Sequence, residues 1–165
     1  MTGFKEDDVL DILDIRMLRV APAGPSRRTG DRDAAQIHPI KGSRETVRGE
    51  EAVVCRSANA YMVARIPMHI PRILPDENLV FTIRAALPEG AESGRLGALI
   101  YDEAGIRELG TLVWHRKLSR NGWENIVCRV SGAALKKKRG KFTVFIYKDK
   151  GTDAIAVSNI SWRVE

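Results

Sequence analysis

Residues 122–165 read GWENIVCRVSGAALKKKRGKFTVFIYKDKGTDAIAVSNISWRVE, and their spacing decides the fold class. Within Lys141–Lys148, Phe142, Val144 and Ile146 share one parity and Thr143, Phe145 and Tyr147 the other. Successive side chains of a strand point to opposite faces, so the pattern predicts a strand with both faces partly covered. β-branched and aromatic residues dominate it, as pleated surfaces favour. In Trp123–Val130, Ile126, Cys128 and Val130 face together. In Ala154–Val164 the apolar parity changes from Ile155 and Val157 to Ile160, Trp162 and Val164. One extra residue flips a register, so a β-bulge is expected near Ser158–Asn159.

Working outward, Asn78–Ala86 alternates clearly, with Leu79, Phe81, Ile83 and Ala85 on one side. Arg95–Tyr101 groups Leu96, Ala98 and Ile100. Asp102–Gly105 reads as a hairpin connection, because Gly105 accepts positive φ. Ala52–Arg56 and Tyr61–Ile66 read as strands, and Gln36–Ile40 as a short one. Three prolines in residues 66–75 argue against a central strand there and for an extended edge segment that crosses between sheets. Lys41–Glu51 is polar and reads as a loop. Ala21–Asp33 holds Pro22, Gly24, Pro25 and Gly30 with little that is apolar, and reads as a loop or mobile segment. Asp7–Val20 is ambiguous between helix and strand, with a strand near Ile12–Val20 favoured. The domain expectation is an acidic, partly mobile lead over 1–33 and a β-sandwich over 34–165. Many short strands at regular spacing, with no long helix, give an all-β sandwich or barrel.

Composition narrows the classes further. The chain has 165 residues, 44% apolar and 29% charged, which suits one globular domain. No apolar run approaches the roughly 20 residues a bilayer span needs. The N-terminus lacks a basic-then-apolar export pattern, so a cytoplasmic location is the default expectation unless the chain is part of a longer one. Cys55 and Cys128 lie far apart in strand contexts and read as free thiols. His38, His69 and His115 show no metal-ligand spacing, and the metal question stays open. Neither a Gly-x-Ser-x-Gly elbow nor a glycine-rich phosphate loop occurs. The expectation is therefore a protein that is not an enzyme and that uses no cofactor.

The net charge is +6, against an acidic stretch at Glu6, Asp7, Asp8, Asp11 and Asp14. Basic surfaces attract nucleic acid, anionic glycan or anionic membrane, and they also simply keep proteins soluble. Lys136-Lys-Lys-Arg139 is the sharpest cluster. It suits a phosphate, sulfate or uronate, or else a solvated loop. Nucleic acid is disfavoured because no aromatic residues are interleaved with it.

The order of parts resembles a known family. An extended proline-containing segment precedes Asn78-Leu-Val-Phe-Thr-Ile-Arg84; Tyr101-Asp-Glu-Ala-Gly105, Gly122-Trp123-Glu124, Phe142–Tyr147 and Val157-Ser-Asn-Ile-Ser-Trp162 follow. Over about residues 50–165 this resembles the galactose-binding-like jelly rolls that include many carbohydrate-binding modules. The resemblance implies a jelly-roll β-sandwich of two antiparallel sheets, with Trp123 structural and glycan binding as the commonest role. It also implies a structural calcium ion near the first and last strands, but Asn159 stands where an Asp is common, with Glu165 at the end.

Sugar recognition needs flat rings that stack on pyranose C–H surfaces, and planar polar groups for hydroxyls. With Phe81, Ile83, Leu96, Ile100, Phe142, Val144 and Ile146 as core, Arg84, Tyr101, His115, Phe145 and Tyr147 face outward. Arg84, Tyr101, His115 and Tyr147 are the candidate platform. Trp114 and Trp162 are also candidate stacking rings, but their parity places them nearer the core side or at a bulge, and core is the favoured reading. The partner expectation is a glycan, recognised by a module accessory to a glycan-processing enzyme. The alternative is a structural or assembly domain whose outward face packs on another protein or a second copy.

Overall fold

Phe81, Ile83, Leu96, Ile100, Phe142, Val144 and Ile146, the residues of one parity on three strands, meet in one fully buried cluster. That clustering requires two sheets face to face. A computed structural model describes residues 28–59, 61–135 and 140–165. Eleven strands are present among them. They are β1 Thr29–Asp33, β2 His38–Pro39, β3 Ser43–Val47, β4 Glu50–Cys55, β5 Met62–Ile70, β6 Asn78–Ala86, β7 Arg95–Asp102, β8 Glu108–Lys117, β9 Glu124–Ser131, β10 Gly140–Lys148 and β11 Ile155–Val164.

The first sheet runs β9-β6-β11-β4-β3, with β1 also paired to β11; the second runs β2-β5-β10-β7-β8. Every pairing is antiparallel. The chain passes repeatedly from one sheet to the other, which is the jelly-roll arrangement of an all-β sandwich. The only helical turn among the described residues is a 3-10 turn at Ala34–Gln36. No helix among them is long and apolar enough to cross a membrane.

Register follows the sequence pattern at two sites. In β11 the ladder to β6 shifts between Val157 and Asn159, where the change of parity places a bulge. At Asp102–Gly105 the chain turns, with Gly105 at φ 73° and its N–H donating to the Asp102 carbonyl at 3.0 Å.

Three expectations are corrected. Thr29–Asp33 is a strand, not the end of a loop. Its Thr-Gly-Asp-Arg-Asp sequence has no apolar signal, and pairing to β11 supplies the order instead. A Cβ on Gly30 would stand 2.5 Å from the Trp162 indole nitrogen, so only glycine lets β1 lie on that ring. Ser43–Val47 is also a strand, reversing into β4 through Arg48 and Gly49 at φ 46° and 82°. Two positive φ values in a two-residue connection match the twist of a tight hairpin. Arg44 holds this polar strand by donating to the carbonyls of Ala34, Ala35 and Ile37 at 3.2, 3.3 and 3.0 Å.

The third correction is β5, which continues through Pro67 with partners on both flanks. The Val63 carbonyl accepts from Ile40 N–H, so residues of that parity direct their backbone toward β2. Strand β2 pairs only with Ala64 and Arg65. The Pro67 nitrogen therefore faces past its end, where no ladder bond is lost.

Both cysteines are free, and burial pushes the Cys128 thiol up to about 11. At neutral pH it stays protonated and unreactive. The readings at Ile12–Val20 and at Lys136–Arg139 lie outside the described residues.

Strand β1 is latched by one ion pair. Arg28 donates two bonds of 2.6 Å to the two carboxylate oxygens of Glu77. The guanidinium holds the Glu77 carboxyl below the usual carboxylate range. A lowered folded-state pKa contributes stability that is complete above the unfolded value and lost as pH falls through the folded one. Amide exchange across Thr29–Asp33 is therefore expected to accelerate as pH drops below the ordinary carboxylate range, after correction for the intrinsic rate. In Glu77→Gln the same amides should exchange fast at neutral pH already, with no further acid step. Equal acid dependence in both proteins would contradict the latch.

Candidate functional site

The outward parity of the second sheet gathers rings at one end. Tyr147 of β10 lies opposite Gly97 of β7. A Cβ at Gly97 would sit 1.9 Å from the Tyr147 ring, so the phenol lies flat across the glycine. On its other side Tyr147 stacks with Tyr61, centroids 5.3 Å apart and planes at 27°. His115 meets Tyr147 edge-on at 6.2 Å, and Trp114 meets His115 edge-on at 4.2 Å. Tyr61, Tyr147, His115 and Trp114 thus form one continuous line of rings.

The backbone of β8 bends to make this line. Arg116 pairs with Leu96 and Val113 with Ala98, so Trp114 and His115 together face the single residue Gly97. That is a β-bulge, the device that re-aims side chains at a sheet edge. His115 sits at φ 48°, a left-handed conformation rare outside glycine. Such a conformation costs about 1–3 kcal/mol and persists where its surroundings enforce it. Here the enforcing contact is Asp149, whose carboxylate oxygens both lie 2.8 Å from His115 Nδ1. An ionised carboxylate only accepts, so Nδ1 carries the proton. In the neutral ring Nε2 is left as an acceptor for a ligand hydroxyl.

Asp149 belongs to a turn with a buried support. Lys148 has no solvent exposure, and its Nζ donates to the Asp149 carbonyl at 3.0 Å and the Thr152 carbonyl at 2.7 Å. Thr152 Oγ1 donates to the same Asp149 carbonyl at 2.8 Å. The Tyr147 phenol is raised above its ordinary range by burial first, then by the nearby Asp149 charge, and stays protonated.

Exposure separates contact residues from supports. Trp114 is 70% exposed and Tyr61 45%. Tyr147 is 3% exposed. The expectation that Tyr147 presents a free face is corrected: its faces are taken by Gly97 and Tyr61, and it backs the exposed rings. The reading of Trp114 as core is corrected too, because the bulge breaks the alternation on which it rested. Trp162 is buried as expected.

Arg84 does not belong to this surface. It lies on β6 in the other sheet, where it donates to Glu50 at 2.6 and 3.0 Å and lies 5.4 Å over the Trp123 ring. Its bond to Glu50 holds that carboxyl below the usual range. Tyr101 is on the correct face but farther along, edge-on to Phe145 at 4.9 Å. Of the four candidates, only His115 and Tyr147 touch. Tyr61 and Asp149 were missed, and Trp114 was weighed as a stacking ring but placed in the core. Tyr61 carried a signal, an aromatic residue at the start of a strand, whereas the bulge and the turn leave none.

The resemblance raises calcium, and among the described residues the carboxylates nearest Asn159 and the C-terminal end are already engaged. Glu165 is engaged by Arg163 at 2.7 Å and Arg129 at 3.4 Å. Beside Asn159, Glu50 is held by Arg84. A hard cation needs several unengaged oxygens, not carboxylates already matched by guanidinium. Among the described residues no group of three acidic, histidine or cysteine side chains is placed to hold a metal.

Solved structures share the architecture. The xylan-binding domain CBM22-1 from Paenibacillus barcinonensis superposes with a TM-score of 0.54 at 9% identity, covering 82% of this chain and 85% of that one. The chain has the fold of carbohydrate-binding modules. The module CBM6cm-2 from Cellvibrio mixtus lichenase 5A, solved with cellotriose, gives 0.52 at 14% identity over 81% and 95%. The C-terminal CBM6 of LamC from Zobellia galactanivorans gives 0.51 at 19% over 82% and 98%. No family model matches the sequence, and no curated protein does.

Proposed function

We propose that this chain is a non-catalytic glycan-binding module, accessory to a glycan-processing enzyme, whose contact surface is centred on Trp114 and Tyr61. The observation that carries the reading is Trp114 itself: a largely exposed indole, held out on a bulge and braced by His115. A rigid aromatic face offers large contact area at little cost in side-chain entropy. Pyranose rings have apolar C–H faces that match it, and His115 Nε2 supplies a polar atom that can bond a hydroxyl. The shared fold, with neighbours described as xylan-binding or solved with cellotriose, supports the same class of ligand.

Trp114→Ala is expected to weaken binding of a responsive oligosaccharide by at least about tenfold, as loss of an anchoring aromatic does. The substitution is at the surface, so the melting temperature should move by no more than about 2 °C. Titration calorimetry against xylan, cellulose and laminarin oligosaccharides, beside a melting curve, reads both. Unchanged affinity in Trp114→Ala sinks the proposal. Light scattering tests the rival reading: a dimer that seals Trp114 and excludes glycan favours assembly.

A further inference from the structure

We infer that the glycan taken at this surface carries an anionic group, a carboxylate or a sulfate ester, seated between Lys41 and Lys150. The inference rests on the platform reading above and adds a ligand class to it. A cleft beside Tyr61 is lined by Lys41, Asn59, Tyr61, Met62 and Lys150. Its two ammonium groups stand on fixed backbone. Lys41 N–H donates to the Met62 carbonyl at 3.1 Å. Lys150 lies in the turn supported by buried Lys148, and the next residue, Gly151, donates to the Ala58 carbonyl at 3.1 Å.

Neither ammonium has a carboxylate within 4 Å among the described residues, whereas Lys141 and Arg116 are each paired with one. The carboxylate of this turn, Asp149, gives both oxygens to His115. The cleft therefore joins an aromatic face and a methionine wall to two uncompensated positive charges. A neutral sugar would leave both charges to water. An acidic sugar would gain charge-assisted bonds at both while stacking beside them. The net charge of the chain has the same sign.

The full chain is to be titrated with neutral xylan oligosaccharides, with oligogalacturonate and with sulfated carrageenan oligosaccharides, at about 50 and 500 mM salt. One acidic class should bind at least about tenfold tighter than the neutral one at low salt, with the gap narrowing at high salt. Which class does so assigns the group as carboxylate or sulfate. Lys41→Met with Lys150→Met should bring the acidic ligand down to the neutral affinity and leave neutral binding unchanged. Arg72→Gln, a control at an exposed loop residue, should change nothing. Equal affinity for neutral and acidic ligands, with Trp114 still required, overturns the inference and leaves the platform standing. An equal loss in Arg72→Gln shows diffuse charge attraction and also overturns it. No binding to any ligand removes both.

Discussion

Tyr147→Ala will lower stability by about 3 kcal/mol, the lower end for removing a large buried ring, because the gap opens toward solvent. For a chain of this size that is a fall in melting temperature of roughly 10 °C. The cost comes from the contacts Tyr147 makes on both faces, with Tyr61 at 5.3 Å and with the bare backbone of Gly97. Gly97 gives the sharper half of the prediction. The three atoms nearest a Cβ there all belong to Tyr147. Gly97→Ala alone should therefore destabilise by about 1–3 kcal/mol, as overpacking does. In a Tyr147→Ala background the same change should fall within about 0.5 kcal/mol of neutral. Urea denaturation of the wild type, both single variants and the double variant gives the coupling energy directly. Additive costs would show that the ring does not lie on the glycine.

Lys148→Met should destabilise by about 1–3 kcal/mol and loosen the turn that follows. Methionine keeps the length of the side chain and spares the desolvation of an ammonium, which limits the loss. What remains is that the Asp149 and Thr152 carbonyls lose the donor that bridges them at 3.0 and 2.7 Å. The Asp149 carbonyl keeps Thr152 Oγ1 and N–H, but the Thr152 carbonyl is stripped of its donor, which costs about 1–3 kcal/mol where water cannot replace it. The diagnostic readout is local. Amide exchange at Thr152, whose N–H donates to the Asp149 carbonyl, should rise more than exchange in the core strands. The contact between His115 and Asp149 should weaken with it, and glycan affinity should fall although Lys148 touches no ligand. A stable variant with wild-type exchange would remove Lys148 from this supporting role.

The sequence made the interior legible because burial leaves a period. Phe142, Val144 and Ile146 alternate with Thr143, Phe145 and Tyr147, and no other structure explains that spacing. The bulge in β11 was readable for the same reason, since apolar residues stand on both sides of the slip. Polar strands leave no such trace. Thr29–Asp33 is ordered by the Trp162 ring and Ser43–Val47 by the Ala34, Ala35 and Ile37 carbonyls that Arg44 reaches, and neither strand's own residues disclose those partners. The candidate site was half legible. Parity showed that Tyr101, His115 and Tyr147 face outward, but it carries no information on which sheet holds a strand, and Arg84 fell on the wrong one. Nor can it show that an outward ring is covered, as Tyr61 covers Tyr147. Trp114 was placed in the core because apolar residues stand on only one side of its bulge, at Leu112 and Val113, while Arg116 and Lys117 on the other carry no parity to show the slip.

The kink at Trp114 and His115 has an effect unrelated to any ligand. Strand β8 is the last of its sheet, and its outer hydrogen-bonding groups would ordinarily invite a neighbour's strand to continue the sheet. A strand that slips against β7 at three places cannot keep step with a straight newcomer for more than a few residues. The same irregularity that holds the tryptophan outward thus guards this edge against zipping onto the edge of a second copy.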